Sequence, residues 1–203
     1  MELVFASHNE NKVSEVRKIL PPNFKIISLN DLNFFDEIPE DEETIEKNAI
    51  FKSNFIYEKF KINVFADDTG LEIKALNNLP GVKSARYSGL ERDSTKNINK
   101  VLSNLGEESD RKARFKTVIS LNLNGELKLF EGIINGKINY TPIGDNGFGY
   151  DPIFIPNNFN KTFAEMSLTQ KNKISHRSIA INKLISFLGK VYDWFFLEKY
   201  ILM

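Results

Sequence analysis

The chain has 203 residues, with 27 basic and 27 acidic side chains, two histidines and no cysteine. Its length allows one ordinary domain or two small lobes sharing a core, and 41% apolar residues with 17 phenylalanines exclude disorder. Zero formal charge argues against a nonspecific nucleic-acid binder, which needs a basic face. The absence of cysteine excludes disulfides, thiolate nucleophiles, zinc ribbons and iron–sulfur ligation.

A short apolar strand, Leu3–Ala6, runs into a polar loop, Ser7–Asn11. Val13, Val16, Ile19 and Leu20 then recur on one helical face until Pro21-Pro22 stops the helix. Residues 24–29 read as a second strand, and an acidic loop, Asp36–Glu43, leads to a long helix from about Thr44 to Phe60. Ile62–Ala66 reads as a buried strand that ends at a loop, Asp67-Asp68-Thr69-Gly70. A further helix spans roughly Thr95–Leu105. Alternating strands at about 113–123 and 126–134 flank Asn124-Gly125, a strong hairpin signal. Pro142 to Pro156 is Gly-rich and contains a strand, and a last helix begins near His176. The alternation of strand and helix followed by a hairpin predicts an α/β fold with a mixed sheet.

Four stretches carry candidate chemistry. In Ser7-His8-Asn9-Glu10-Asn11-Lys12, a strand feeds a helix start whose free N–H groups and added lysine suit an anion. Simple helix capping is the other reading of that segment, and the glycine spacing of a P-loop is absent. Asp67 and Asp68 are adjacent carboxylates that repel unless a cation or shared proton lies between them, which suits Mg²⁺ bound with phosphate oxygens. An ordinary Asp-rich turn is the alternative, and the Asp-x-Asp spacing of a phospho-aspartate enzyme is missing. Glycines on both sides of Phe148, in Asn146–Phe154, let the backbone approach a ligand and the ring stack on a base, or else form a tight turn around a core ring. Ser175-His176-Arg177, with Lys171 before it, offers donors for a purine carbonyl, although Ser175 would also serve as a plain helix cap.

Six motifs occur in a fixed order. They are the Ser7–Lys12 stretch, Asn48-Ala49-x-x-Lys52, Ala66–Gly70, Pro80-Gly81-x-x-Ser84-Ala85-Arg86-Tyr87, Gly147–Pro152 and Ser175-His176-Arg177. In this order they resemble the inosine triphosphate pyrophosphatase family, the dITP/XTP pyrophosphatases, over about residues 2–188. The resemblance implies an elongated mixed β-sheet with flanking helices, and two lobes around a central cleft. It implies hydrolysis of dITP, ITP and XTP to the monophosphate and pyrophosphate, with Mg²⁺ as cofactor and a homodimer as the assembly. Carried over by position, Ser7, Asn9 and Lys12 would hold the phosphates, His8, Glu10 and Asn11 of the same stretch would also bind substrate, and Lys52 would add a second phosphate contact. Asp68 would be general base and metal ligand, with Asp67 supporting it and Thr69 contacting the nucleotide. Phe148, Gly149, Tyr150 and Asp151 would clamp base and sugar, and Lys171, His176 and Arg177 would select a 6-keto purine.

Two positions depart from that pattern. Lys47 stands where the family often has Glu, so Glu40 from the acidic loop is the substitute metal ligand. His8 stands where many members carry Gly or Asn, which tolerate positive φ, so a difference in the phosphate loop is expected there. The alternatives are a Maf-type pyrimidine nucleotide pyrophosphatase, a nucleotide-binding sensor without catalysis, and a structural interaction protein. Residues 1–190 read as a single domain, followed by an aromatic tail at 191–203 that reads as a helix packing on the body or on a second subunit, with a membrane-surface anchor as the lesser alternative because the stretch lacks a strongly basic face. No run of about 18 apolar residues exists, and the apolar start is too short for a signal peptide. The expectation is a cytoplasmic protein with no membrane or nucleic-acid polymer as partner.

Overall fold

In the computed structural model the backbone is described for residues 2–201 and the side chains for residues 2–191. In chain order the elements are β1 (Glu2–Phe5), α1 (Glu10–Ile19), β2 (Lys25–Ser28), α2 (Ile45–Phe60), β3 (Val64–Ile73) and β4 (Leu79–Gly81). They continue with α3 (Ser94–Leu105), β5 (Lys112–Leu123), β6 (Glu126–Ile138), β7 (Phe154–Pro156), α4 (Leu168–Asn172) and α5 (His176–Ile201). The sheet runs β2-β1-β3-β5-β6-β7, with β4 paired on β3. Only β1 pairs in parallel, with β2 and β3; the remaining pairs are antiparallel. The expected mixed α/β sheet is therefore present.

Strands β3, β5 and β6 are long enough to run through both halves of the molecule, and each half has its own core. Toward β1, one face packs Phe5, Phe65, Ile119 and Leu121 against Val13 and Val16 of α1 and Ala180, Ile181 and Leu184 of α5. The other face packs Val4, Ala6, Val64 and Ala66 against Ile56 of α2. At the far end Leu71, Ile73 and Phe115 meet Ile98 and Val101 of α3, with Phe154 and Phe163 closing the cluster. The cleft lies between these two lobes.

Local signals explain most boundaries. Asn9, Thr44 and Asp93 each accept an N–H bond as N-caps of α1, α2 and α3. Asn124 and Gly125 have φ of +53° and +90°, which makes the tight two-residue turn of the β5–β6 hairpin. Strand β6 extends four residues past its expected end. Within it, Gly132 lets α5 pack close on the strand, because a Cβ there would lie 2.0 Å from the His176 carbonyl oxygen at the start of α5.

One expectation is corrected outright. Asp67-Asp68-Thr69-Gly70 is not a loop, because β3 continues through it, paired residue for residue with β5 from Val64↔Asn122 to Ile73↔Ala113. The aspartates are tolerated inside the sheet because each meets a buried cation. Among the described residues no helix is long and apolar enough to cross a membrane. The expected packing role of the 191–203 tail rests on side chains that lie, from residue 192 onward, outside the described residues.

Candidate active site

A cavity of about 490 Å³ fills the cleft, and most of the sequence-flagged residues line it. On the β1–α1 side these are Ser7, His8, Asn9 and Lys12. Ser7 Oγ accepts the Asn9 N–H at 3.2 Å, and Asn9 Oδ1 accepts the Lys12 N–H at 3.2 Å, so capping orders this loop. His8 needs no positive φ: its ring contacts Asn30 Oδ1 at 3.3 Å and the Asp36 carbonyl at 3.1 Å, and stacks on Phe34. Glu10 and Asn11 do not join the site. Both are exposed and absent from the cavity lining, and Glu10 instead accepts from Asn30. Helix geometry causes this: Lys12 turns inward, while its two predecessors lie on the outer side of the first turn.

Strand alternation separates the two aspartates. Side chains of adjacent strand residues point to opposite faces. Asp67 faces α1 and α5, where Oδ1 accepts from Lys12 Nζ at 2.8 Å and Oδ2 from Arg177 Nε at 3.1 Å. The anion opposite Lys12 is thus a carboxylate of the protein itself, and Asp67 does not line the cavity. Burial alone would raise its pKa, but Lys12, Arg177 and Lys52 outweigh that and hold it well below the usual carboxylate range.

Asp68 faces α2 and lines the cavity. Oδ1 accepts from Lys52 Nζ at 3.2 Å and Oδ2 from Asn48 Nδ2 at 3.3 Å. Burial pushes its pKa up, and the Glu40 charge adds to that, against the pull of Lys52 and Lys12. Lys52 also donates to Glu40 Oε1 at 2.9 Å, so one ammonium joins both expected metal ligands. For Glu40 burial works upward, yet Lys52, Lys12 and Arg92 bring its pKa down to about 2. Lys47 lies on the surface, paired with Glu43 at 3.3 Å.

The opposite end of the cavity is a chain of buried charges in alternating sign. Lys171 Nζ bonds Asp151 Oδ2 at 2.5 Å and Glu15 Oε1 at 2.7 Å. Glu15 Oε2 then pairs with Arg177, which leads on to Asp67 and Lys12. Three cations and three anions alternate, so the charges cancel while every long side chain is fixed. Thr69 accepts from Arg177 at 3.1 Å and bonds Thr117 at 2.7 Å. The Phe148 N–H donates to Asp151 Oδ2 at 2.8 Å, and its ring lies under Lys171 and Arg177, at 5.0 and 5.6 Å. Gly147, at φ +76°, makes this turn possible, because a Cβ there would lie 2.0 Å from Asp151 Oδ2. Gly149 and Tyr150 line the cavity, and Tyr150 Oη donates to the Ser84 carbonyl at 2.8 Å. His176 stacks on Phe115 at 4.6 Å. Burial and the adjacent Arg177 and Lys171 keep His176 neutral, its pKa well below 6.5, and its Nδ1 is buried without a hydrogen-bond partner.

Sequence reasoning missed Glu15, which ties Lys171 and Arg177 together. Its signal was faint: Glu15 lies three residues after Lys12, on the same side of α1. Asn48, Arg86 and Arg92 were likewise given no role, although the first holds Asp68 and the other two line the cavity.

Residues 3–187 match the model of the Ham1 family. The chain belongs to the Ham1 family. A dITP/XTP pyrophosphatase of Flavobacterium johnsoniae is 52% identical over 188 residues, covering 93% of this chain and 98% of that protein. The Staphylococcus aureus Ham1 protein superposes with a TM-score of 0.84 at 42% identity, covering 94% of this chain and 99% of that one. A Mycobacterium abscessus structure described as a nucleoside-triphosphatase / dITP/XTP pyrophosphatase gives 0.74 at 36% identity, covering 91% and 98%. Ham1 membership thus covers the whole cleft, both lobes and the start of α5.

Proposed function

We propose that this Ham1-family chain hydrolyses dITP, ITP and XTP to the monophosphate and pyrophosphate. The observation that carries the reading is Asp68: a buried carboxylate of raised pKa, facing the cavity and oriented by Asn48 and Lys52. Such a group is placed to take a proton from an attacking water. The relatives' dITP/XTP pyrophosphatase activity agrees with it.

The residues divide the work. Lys12 and Lys52 supply positive charge against the growing charge of the phosphates. Ser7 and the N-terminus of α1 add neutral donors. At the other end Lys171, Arg177 and neutral His176 present donors toward a purine keto group, beside the Phe148 ring. An adenine amino group would leave those donors unpaired, which is an effective means of rejection.

Among the described residues no cluster of three or more His, Cys, Asp or Glu could hold a metal ion. Mg²⁺ commonly takes only one or two carboxylates and fills its shell with substrate oxygens and water, so Asp68 with Glu40 fits. When bound, the ion would draw phosphate oxygens together and acidify a coordinated water. We further propose one ITPase-like domain over residues 1–190, a homodimer as the assembly and the cytoplasm as the location.

A substrate panel tests the reading. With Mg²⁺ present, dITP, ITP and XTP are expected to release pyrophosphate far faster than ATP, dTTP or UTP. Preference for dTTP or UTP would instead indicate the Maf-type activity. Nucleotide binding without pyrophosphate release would indicate a sensor.

A further inference from the structure

Arg86 and Arg92 both line the cavity and converge on one carboxylate. Glu40 Oε2 lies 3.8 Å from Arg86 Nη1 and 3.7 Å from Arg92 Nη2, while Oε1 accepts from Lys52. Arg86 is further anchored by donating to the Glu40 carbonyl oxygen. Asp41, 4.0 Å from Arg86, is 92% exposed and therefore screened by water. Glu40 thus meets three cations, of which Lys52 is shared with Asp68. Distances of 3.7 and 3.8 Å are ion pairs without hydrogen bonds, so the guanidinium forks keep donors for another acceptor.

The backbone supports this placement. Arg92 has φ +54°, a left-handed conformation that a non-glycine residue holds only under local constraint. From there the chain passes Asp93, which caps α3 by accepting from the Lys96 N–H at 3.0 Å, to the first helical residue, Ser94, which lines the cavity. Two guanidinium groups facing one cavity match a polyphosphate, because the planar fork pairs with phosphate oxygens two at a time.

We propose that Arg86 and Arg92 are the receptor for the two phosphates that leave as pyrophosphate. Glu40 is their intramolecular stand-in, exchanged for phosphate oxygens when a nucleoside triphosphate binds. The proposal rests on the pyrophosphatase reading and adds selection by chain length. A monophosphate leaves both arginines with Glu40, whereas a triphosphate reaches far enough to take them.

The test is calorimetric titration of inorganic pyrophosphate into the full chain without divalent metal. Arg92→Ala and Arg86→Ala are expected to weaken binding by about tenfold or more, the scale of losing one charge-assisted contact. Inosine monophosphate affinity should stay within about twofold, and Arg92→Lys should recover part of the loss. Glu40→Gln should move the other way, tightening pyrophosphate binding severalfold, which neither a structural nor a metal-binding role for Glu40 would produce. Wild-type pyrophosphate affinity in Arg92→Ala, or no tightening in Glu40→Gln, overturns the proposal. Arg92 is half exposed, so its variants hold the test even where Arg86→Ala folds poorly. Failure of the functional reading would show separately, as absent ITP turnover by the unaltered chain.

Discussion

On the α1–α5 face of the sheet Asp67 meets two positive charges, while on the α2 face, one residue along, Asp68 shares a single lysine with Glu40. The first is drawn well below the usual carboxylate range and closed off from the cavity. The second is pushed upward by burial and opens onto the cavity. Two like groups thus have pKa values driven apart, the pattern that in the proposed function makes Asp67 an anchor and Asp68 the proton acceptor. The period of two in a strand makes the division possible between adjacent residues. The same contrast extends along the cleft. Around Lys171 and Arg177 the charges form a closed, alternating chain whose members are already paired. Around Glu40 the pairing is looser, with Arg86 and Arg92 at 3.8 and 3.7 Å.

Exchanging each aspartate for asparagine sharpens the comparison. The largest effect is expected from Asp68→Asn. Loss of a general base typically removes a factor of about 10²–10⁴, so kcat for ITP should fall by that order while circular dichroism stays native. Near-normal turnover would remove Asp68 from catalysis. Asp67→Asn should act through stability. It leaves Lys12 and Arg177 buried with one anion fewer, and breaking such a pair costs on the order of 3 kcal/mol. Urea unfolding at pH 7 measures it. A loss below about 1 kcal/mol would mean that the two faces differ less than their pairing implies.

What could be read from the chain alone follows the range of the interactions. The β5–β6 hairpin was legible because Asn124-Gly125 sets its turn locally, and the helix starts because Asn9, Thr44 and Asp93 cap them within three residues. The six motifs in order placed the cleft-lining residues without geometry. The strand through Asp67–Gly70 was hidden, since Asp and Gly disfavour strands and the pairing that overrides them comes from β5, about fifty residues later. Glu15 was hidden for the same reason. Its partners Lys171 and Arg177 lie 156 and 162 positions away, so nothing nearby marks it as buried. Glu10 and Asn11 were over-assigned because a contiguous motif ignores which side of a helix each residue occupies.

The smallest effect expected from these exchanges is also the one that separates the faces by sign. Asp68 has a folded-state pKa above its ordinary 3.8, caused first by burial and then by Glu40. The native state therefore binds this proton more tightly than the unfolded chain does. Its contribution favours folding in acid and is lost as pH rises through the native pKa, after which the buried charge opposes folding. Asparagine removes that charge and leaves Lys52 paired with Glu40. Asp68→Asn should therefore melt higher than the unaltered chain at pH 7. The gap should close as pH falls through the carboxylate range. Asp67→Asn at pH 7 should move in the opposite direction. A lower melting temperature for Asp68→Asn at pH 7 would make Asp68 an anchor for Lys52, and the two faces would then differ in position but not in kind.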